Sequence, residues 1–94
     1  MPPQLGPERA EILGLEALAW LVGDPAGLER FLAASGVDGA ELRAAAGSTG
    51  LTVAILEFLL ANEDLLLSFC ESAGTSPAAL HQARHVLGGA DDRD

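Results

Sequence analysis

The sequence predicts an all-α fold: a compact single domain of about six short helices. Apolar residues recur at intervals of three and four, which is the period of one helix face. Each such segment follows a helix-capping residue or a proline, and glycines close most of them. Six consistent start and stop signals, without the two-residue alternation of a half-buried strand, favour helices throughout.

The chain divides into one folded domain and two short ends. Its 94 residues are enough for a single hydrophobic core. Residues 1–6 carry two prolines and a glycine without periodicity, and they predict a disordered N-terminus. Residues 7–88 form the predicted helical domain, and residues 89–94 an acidic, disordered tail.

The first two helices are separated by a glycine and a strong cap. Pro7 suits a first-turn position, and Gly23 ends the first helix. Asp24 and Pro25 begin the second helix, and Gly36 closes it with a left-handed residue. The helical wheel of the first helix predicts a core face made of Ile12, Leu15, Leu18, Ala19 and Val22.

The fourth helix is predicted to be the centre of the domain. Asp38 and Glu41 form a capping-box pattern that begins a short third helix. Ser48 or Thr49 then caps residues 51–61, which are apolar on two sides. Because a helix apolar on two sides is typically buried between neighbours, we expect this central hydrophobic helix to organise the core.

The last two helices carry similar signals. Asn62 is expected to cap the fifth helix, with Glu63 and Asp64 at the positive end of its dipole. Ser76 and Pro77 begin the sixth. The residues predicted to be buried are Leu65, Leu66, Phe69, Cys70 and Ala73 in the fifth helix, and Leu80, Ala83, Val86 and Leu87 in the sixth.

Charge argues against several classes of partner. The formal net charge is −9, and the five basic residues are all arginines scattered along the chain. Nucleic-acid binding requires clustered cations, and an anionic membrane surface would repel this chain. The longest apolar run is broken by Asn62, Glu63 and Asp64, so it is too short to span a bilayer. We expect neither nucleic acid nor membrane as a partner.

The cysteine count and the N-terminal composition indicate a compartment. Cys70 is the only cysteine, so no intrachain disulfide can form, which is typical of a reducing cytosol. The N-terminal residues lack the basic start of a secretory signal. We therefore expect a cytoplasmic protein. The absence of lysine and the abundance of alanine, glycine and leucine indicate a GC-rich bacterial genome.

No motif for catalysis, a metal or a cofactor stands out. His81 and His85 have the spacing of two metal ligands on one helix, but no third ligand lies nearby in sequence. Cys70 lies among leucines, which favours a buried hydrophobe over a nucleophile. Residues 47–50 lack the lysine of a phosphate-binding loop. Glu63 and Asp64 are better explained as helix-start acids than as a catalytic pair.

The order of three segments resembles a known family. These segments are LEALAWLVGDPAGLERFLAASGVD, LEFLLANEDLLLSFCESAG and SPAALHQARHVLG, within roughly residues 8–88. Together they resemble the domain of unknown function 3572 family of short alphaproteobacterial proteins. The resemblance implies a small cytosolic helical protein of bacterial origin. It implies no activity, cofactor or site residue.

Three large apolar residues fall outside the predicted core faces. Leu13 and Trp20 lie together on the first helix, and Leu67 lies between acidic residues on the fifth. Apolar residues outside a core are typical of partner surfaces, and tryptophan is enriched at their hot spots. The alternative is that the first or fifth helix is buried on two sides, since scattered apolar residues are common. The leading hypothesis from the sequence is a non-enzymatic interaction or regulatory module that binds another protein, or itself, through these residues.

Two other functions remain as alternatives. A carrier of a small apolar ligand would need a cavity among the fourth to sixth helices, with Glu57 as its best polar group. An enzyme would need an activated nucleophile, a base or a cofactor motif, and none can be placed.

Overall fold

Six α-helices follow one another through the chain in the computed structural model, which describes residues 6–88. No strand occurs within that range. The helices are α1 (Pro7–Val22), α2 (Pro25–Ser35), α3 (Gly39–Ala45), α4 (Thr49–Ala61), α5 (Glu63–Ala73) and α6 (Pro77–Gly88). The all-α prediction is confirmed. The predicted disordered ends, residues 1–6 and 89–94, lie outside the described residues except for Gly6, which precedes α1.

Most helix ends form as local chemistry predicts. The Asp24 carboxylate accepts a hydrogen bond from the backbone N–H of Gly27, and the Ser48 hydroxyl accepts one from Leu51. Asp38 and Glu41 form both hydrogen bonds of the predicted capping box. Because these bonds satisfy orphan N–H groups within one turn, neighbouring sequence is enough to place the helix starts.

The start of α5 differs from the prediction. Asn62 does not cap α5 with its side chain. Its Nδ2 instead donates to the carbonyl of Phe58 at 2.8 Å, one turn back in α4. Its Oδ1 accepts a hydrogen bond from Arg30 at 2.8 Å. The asparagine therefore serves the end of α4 and the contact with α2, while Glu63 and Asp64 occupy the first turn of α5.

The helices α1, α4 and α6 form the main packing unit. Each of the three packs against the other two, α2 adds to α1, and α5 packs on α4. The core face of α4 consists of Leu51, Thr52, Ile55, Leu56 and Leu59, all buried. Burial on this scale is the largest favourable term in folding, at ~25 cal/mol per Å² of apolar surface. The predicted central role of α4 is thus confirmed, and α1 shares it.

Two aromatic pairs fix the outer helices to this unit. Phe31 of α2 meets Phe58 of α4 edge to face, with ring centroids 5.3 Å apart. Trp20 of α1 meets Phe69 of α5 in the same way at 5.8 Å. Such pairs contribute about 0.5–1.5 kcal/mol beyond their buried area.

Within residues 6–88, no helix is both long enough and apolar enough to cross a membrane.

Candidate functional site

Helix α1 has two apolar faces, and only one of them contacts the core. The inward face consists of Ala10, Leu13, Gly14, Ala17 and Leu21, all buried. The outward face consists of Ile12, Leu15, Ala19 and Val22, all exposed. We call this outward set the α1 stripe. Its spacing of three, four and three residues keeps the four side chains in line along the helix.

The predicted core face of α1 is therefore wrong except at Leu18, which is partly buried and packs against the core. Ile12, Leu15 and Val22 are 46%, 49% and 51% exposed, whereas Leu13 is only 7% exposed. The reason is the size of the residues around Leu13. A side chain at Gly14 would overlap the Thr52 methyl group, so α1 and α4 approach closely there. Small residues permit this approach, although they add little to the hydrophobic pattern of a helical wheel.

The prediction that Leu13 and Trp20 lie on a free surface is also wrong, because both side chains contact the core. Leu13 belongs to the core. Trp20 is partly buried and packs against the core through the edge-to-face contact with Phe69. Both side chains hold α1 to its neighbours, so neither forms a free ridge. Leu13, Trp20 and Leu67 therefore do not form the shared surface that the sequence predicted.

The third residue of that set is exposed, as predicted. Leu67 lies on α5 with 51% of its surface exposed, and Glu63, Asp64 and Glu71 around it are also exposed. No other large apolar side chain of α5 shares that side, because Leu65, Leu66 and Phe69 are buried. A single exposed leucine is ordinary on a protein surface. Its role in binding remains a prediction.

The N-terminal half of the α1 stripe, at Ile12 and Leu15, forms a ridge between two grooves. Beside Ile12 lies a groove of about 440 Å³, lined by Arg9 and Glu16 and by the α5–α6 connection. Beside Leu15 lies a smaller groove of about 120 Å³, lined by Glu11 and by residues of α4 and α6. A ridge with a groove on either side is the shape that a second helix can pack against.

The surface electrostatics include two ion pairs within residues 6–88. Arg30 donates to Asp64 at 2.9 Å, and this hydrogen bond holds the pKa of the Asp64 carboxyl below its usual range. Arg84 pairs with Glu57 at 2.9 Å. Glu57 was the expected polar group of an apolar-ligand cavity. It is instead engaged at the surface, so it does not support the carrier alternative.

The residues with potential for catalysis or metal binding are Cys70 on α5 and two histidines on α6. Burial raises the pKa of the Cys70 thiol, which disfavours the thiolate that a nucleophile requires. His81 and His85 are exposed on α6. Within the described residues, no group of three or more His, Cys, Asp or Glu side chains could hold a metal ion.

Comparison with known proteins gives a family and no function. No curated protein and no solved structure matches the chain significantly. One protein family matches residues 7–90, a range that includes all six helices. Its description is "Protein of unknown function (DUF3572)". Since the match covers most of the chain, this protein belongs to the DUF3572 family.

Proposed function

We propose that this domain is a non-enzymatic protein-interaction module, and that the α1 stripe is its contact surface. One observation carries the proposal: Ile12, Leu15 and Val22 are each about half exposed, and they lie in line on one helix. Aligned exposed aliphatic residues are typical of an interaction site, whereas scattered ones are ordinary. The α1 stripe therefore differs from Leu67, which is a single exposed large apolar residue on its helix.

The spacing within the α1 stripe supports a helical partner surface. Ile12, Leu15, Ala19 and Val22 follow the alternation of three and four residues that marks the seam of a coiled coil. A helix placed along such a seam inserts side chains between those of α1. That contact would remove from water the apolar area that the fold of the domain leaves exposed.

The chemistry of the other side chains supports a role without catalysis. Cys70 has a raised pKa because it is buried, and the lowered pKa of Asp64 arises from a surface ion pair. Catalytic groups typically combine a perturbed pKa with a cleft and a second reacting residue. Neither of these two groups lies in such a constellation. We propose a bacterial cytoplasm as the location, supported by the unpaired Cys70 and the lysine-free composition.

Affinity capture with matched variants tests the contact surface. Wild type, Leu15→Ser and Leu67→Ser are tagged, expressed in the native cells and purified, and their bound proteins are quantified by mass spectrometry. The two leucines are a matched pair because they are 49% and 51% exposed on helices. We expect a protein that wild type and Leu67→Ser retain and that Leu15→Ser loses.

The control is the fold of each variant. Circular dichroism should show the same helix content and a similar melting temperature in all three proteins, because both substitutions remove exposed side chains. If Leu15→Ser retains every protein that wild type captures, the α1 stripe is not the contact surface and the proposal fails.

A further inference from the structure

We infer that the occupant of the α1 stripe is an amphipathic helix of another protein, with Lys or Arg on both sides of its apolar face. This inference rests on the proposed function, since it assumes that the α1 stripe is a contact surface. It adds the chemical class of the partner. It follows from the charges that border the stripe and from the shape of the two grooves beside it.

The charges around the α1 stripe are mostly negative. Glu8, Glu11 and Glu16 are exposed on α1, and Arg9 is the only basic residue of that helix. The ion pairs formed within residues 6–88 lie on α2, α4, α5 and α6, so they leave these glutamates to solvent. Flanking charges of a helical seam determine which partner helix is accepted.

Each groove places a glutamate within reach of such a partner. Glu16 lines the groove beside Ile12, and Glu11 lines the groove beside Leu15. A helix lying on the ridge would direct its flanking side chains into both grooves. Long basic side chains suit these positions because their stems pack on apolar surface while the charged end meets the carboxylate. Arg9 lines the same groove as Glu16 and partly offsets its negative charge. Within residues 6–88, the groove that contains Glu11 is lined by no basic residue.

A second copy of this chain fits the surface poorly. Two copies would bring together surfaces rich in glutamate, and each copy carries a net charge of −9. Glutamates that face one another across a seam repel. The α1 stripe is also short, about 15 Å from Ile12 to Val22 at 1.5 Å per residue. Ala19 provides little surface in the middle of it, which leaves a homodimer weak.

Two designed probe helices test the inference on the full-length protein. Each is a stapled, fluorescent peptide of about three heptads with the same leucine and isoleucine seam. One carries Lys at all flanking positions and the other carries Glu. Fluorescence anisotropy measures their affinities at low and high salt. We expect the Lys probe to bind about tenfold or more tightly than the Glu probe, with a preference that decreases at high salt.

Variants locate the binding and its charge dependence. Leu15→Ser should abolish binding of the Lys probe, whereas Leu67→Ser should leave it unchanged. The double variant Glu11→Gln/Glu16→Gln should reduce the preference for the Lys probe and retain the same helix content. Both glutamates are exposed, so these substitutions leave the core intact.

Several results would overturn the inference. These are equal affinity for the two probes, no binding of the Lys probe, or a preference that the double glutamine variant retains. A dimer detected by sedimentation and lost in Leu15→Ser would identify a second copy as the occupant. If a native partner depends on Leu15 while the probes bind equally, the charge inference fails and the proposed function stands. If capture does not depend on Leu15, the proposed function fails.

Discussion

The side chains of Leu13 and Leu15 point to opposite sides of α1, although only one residue separates them. Two residues correspond to 200° around a helix, so Leu13 belongs to the core while Leu15 is on the exposed side. Leu13 is 7% exposed and Leu15 is 49% exposed. The function proposed for α1 depends on this rotational setting of the helix, which alanine substitution can measure.

We expect Leu13→Ala and Leu15→Ala to differ strongly in stability. Leu13→Ala leaves a cavity in the core and should lower the free energy of unfolding by about 2–5 kcal/mol. Leu15→Ala removes an exposed side chain and should cost less than about 1 kcal/mol. Urea denaturation followed by circular dichroism measures both. A larger loss for Leu15→Ala would mean that the opposite face of α1 lies in the core.

Cys70 provides a second residue-scale prediction, on thiol reactivity. Burial raises the thiol pKa, so at a given pH the folded protein contains less thiolate than an exposed cysteine would. We expect labelling by a thiol reagent at pH 8 to be slow in the folded protein and fast in urea. The measurement is the labelling rate by mass spectrometry. Equal rates with and without urea would contradict the burial of Cys70.

Among the elements, the closest approach of α1 and α4 determines how α1 sits in the domain. Any side chain at Gly14 would overlap the methyl group of Thr52. This contact explains why the inward face of α1 contains small residues. It also determines which side of α1 faces α4, so the α1 stripe lies on the outer side of the helix.

We therefore expect coupling between Gly14→Ala and Thr52→Ala. The overlap in Gly14→Ala should cost about 1–3 kcal/mol, partly offset by the higher helix propensity of alanine. Removing the Thr52 methyl group relieves the overlap. The double variant should lose less free energy of unfolding than the two single variants lose together, by about 1 kcal/mol or more. Additive effects in a urea double-mutant cycle would mean that the two helices do not touch there.

The helices could be predicted from the sequence because their ends depend on local chemistry. Asp24, Asp38 and Ser48 form capping hydrogen bonds within three residues, and Gly36 and Gly74 adopt positive φ at the ends of α2 and α5. Tertiary packing decides the remaining features. Asn62 forms hydrogen bonds with Phe58, one turn back, and with Arg30, which is 32 residues away in sequence. A local sequence pattern does not include this distant partner.

The candidate site could be predicted only in part, because packing decides which apolar face is buried. Both faces of α1 are visible in the sequence, and hydrophobicity favours the one with larger aliphatic residues. The small residues Ala10, Gly14 and Ala17 were the signal for the true core face, since they permit close helix packing. Exposure of Leu67 was predictable because acidic residues surround it on its own helix.

At the scale of the whole molecule, an acidic domain presents one aligned apolar surface. The chain carries a net charge of −9, and the α1 stripe contains three of its four exposed large apolar side chains within residues 6–88. In our proposal, the negative charge disfavours contact between two copies of the domain, and the stripe would bind a partner of opposite charge. The central claim is that this stripe is occupied in the cell.

Site-specific photo-crosslinking in intact cells tests that claim most directly. A photoreactive phenylalanine analogue replaces Leu15 in one strain and Leu67 in another, and covalent adducts are detected after irradiation. The two sites are equally exposed, so random collisions should label both alike. We predict a discrete adduct of higher mass from position 15 and none from position 67. No adduct from position 15, or the same adduct from both positions, would contradict the assignment of the α1 stripe as the partner surface.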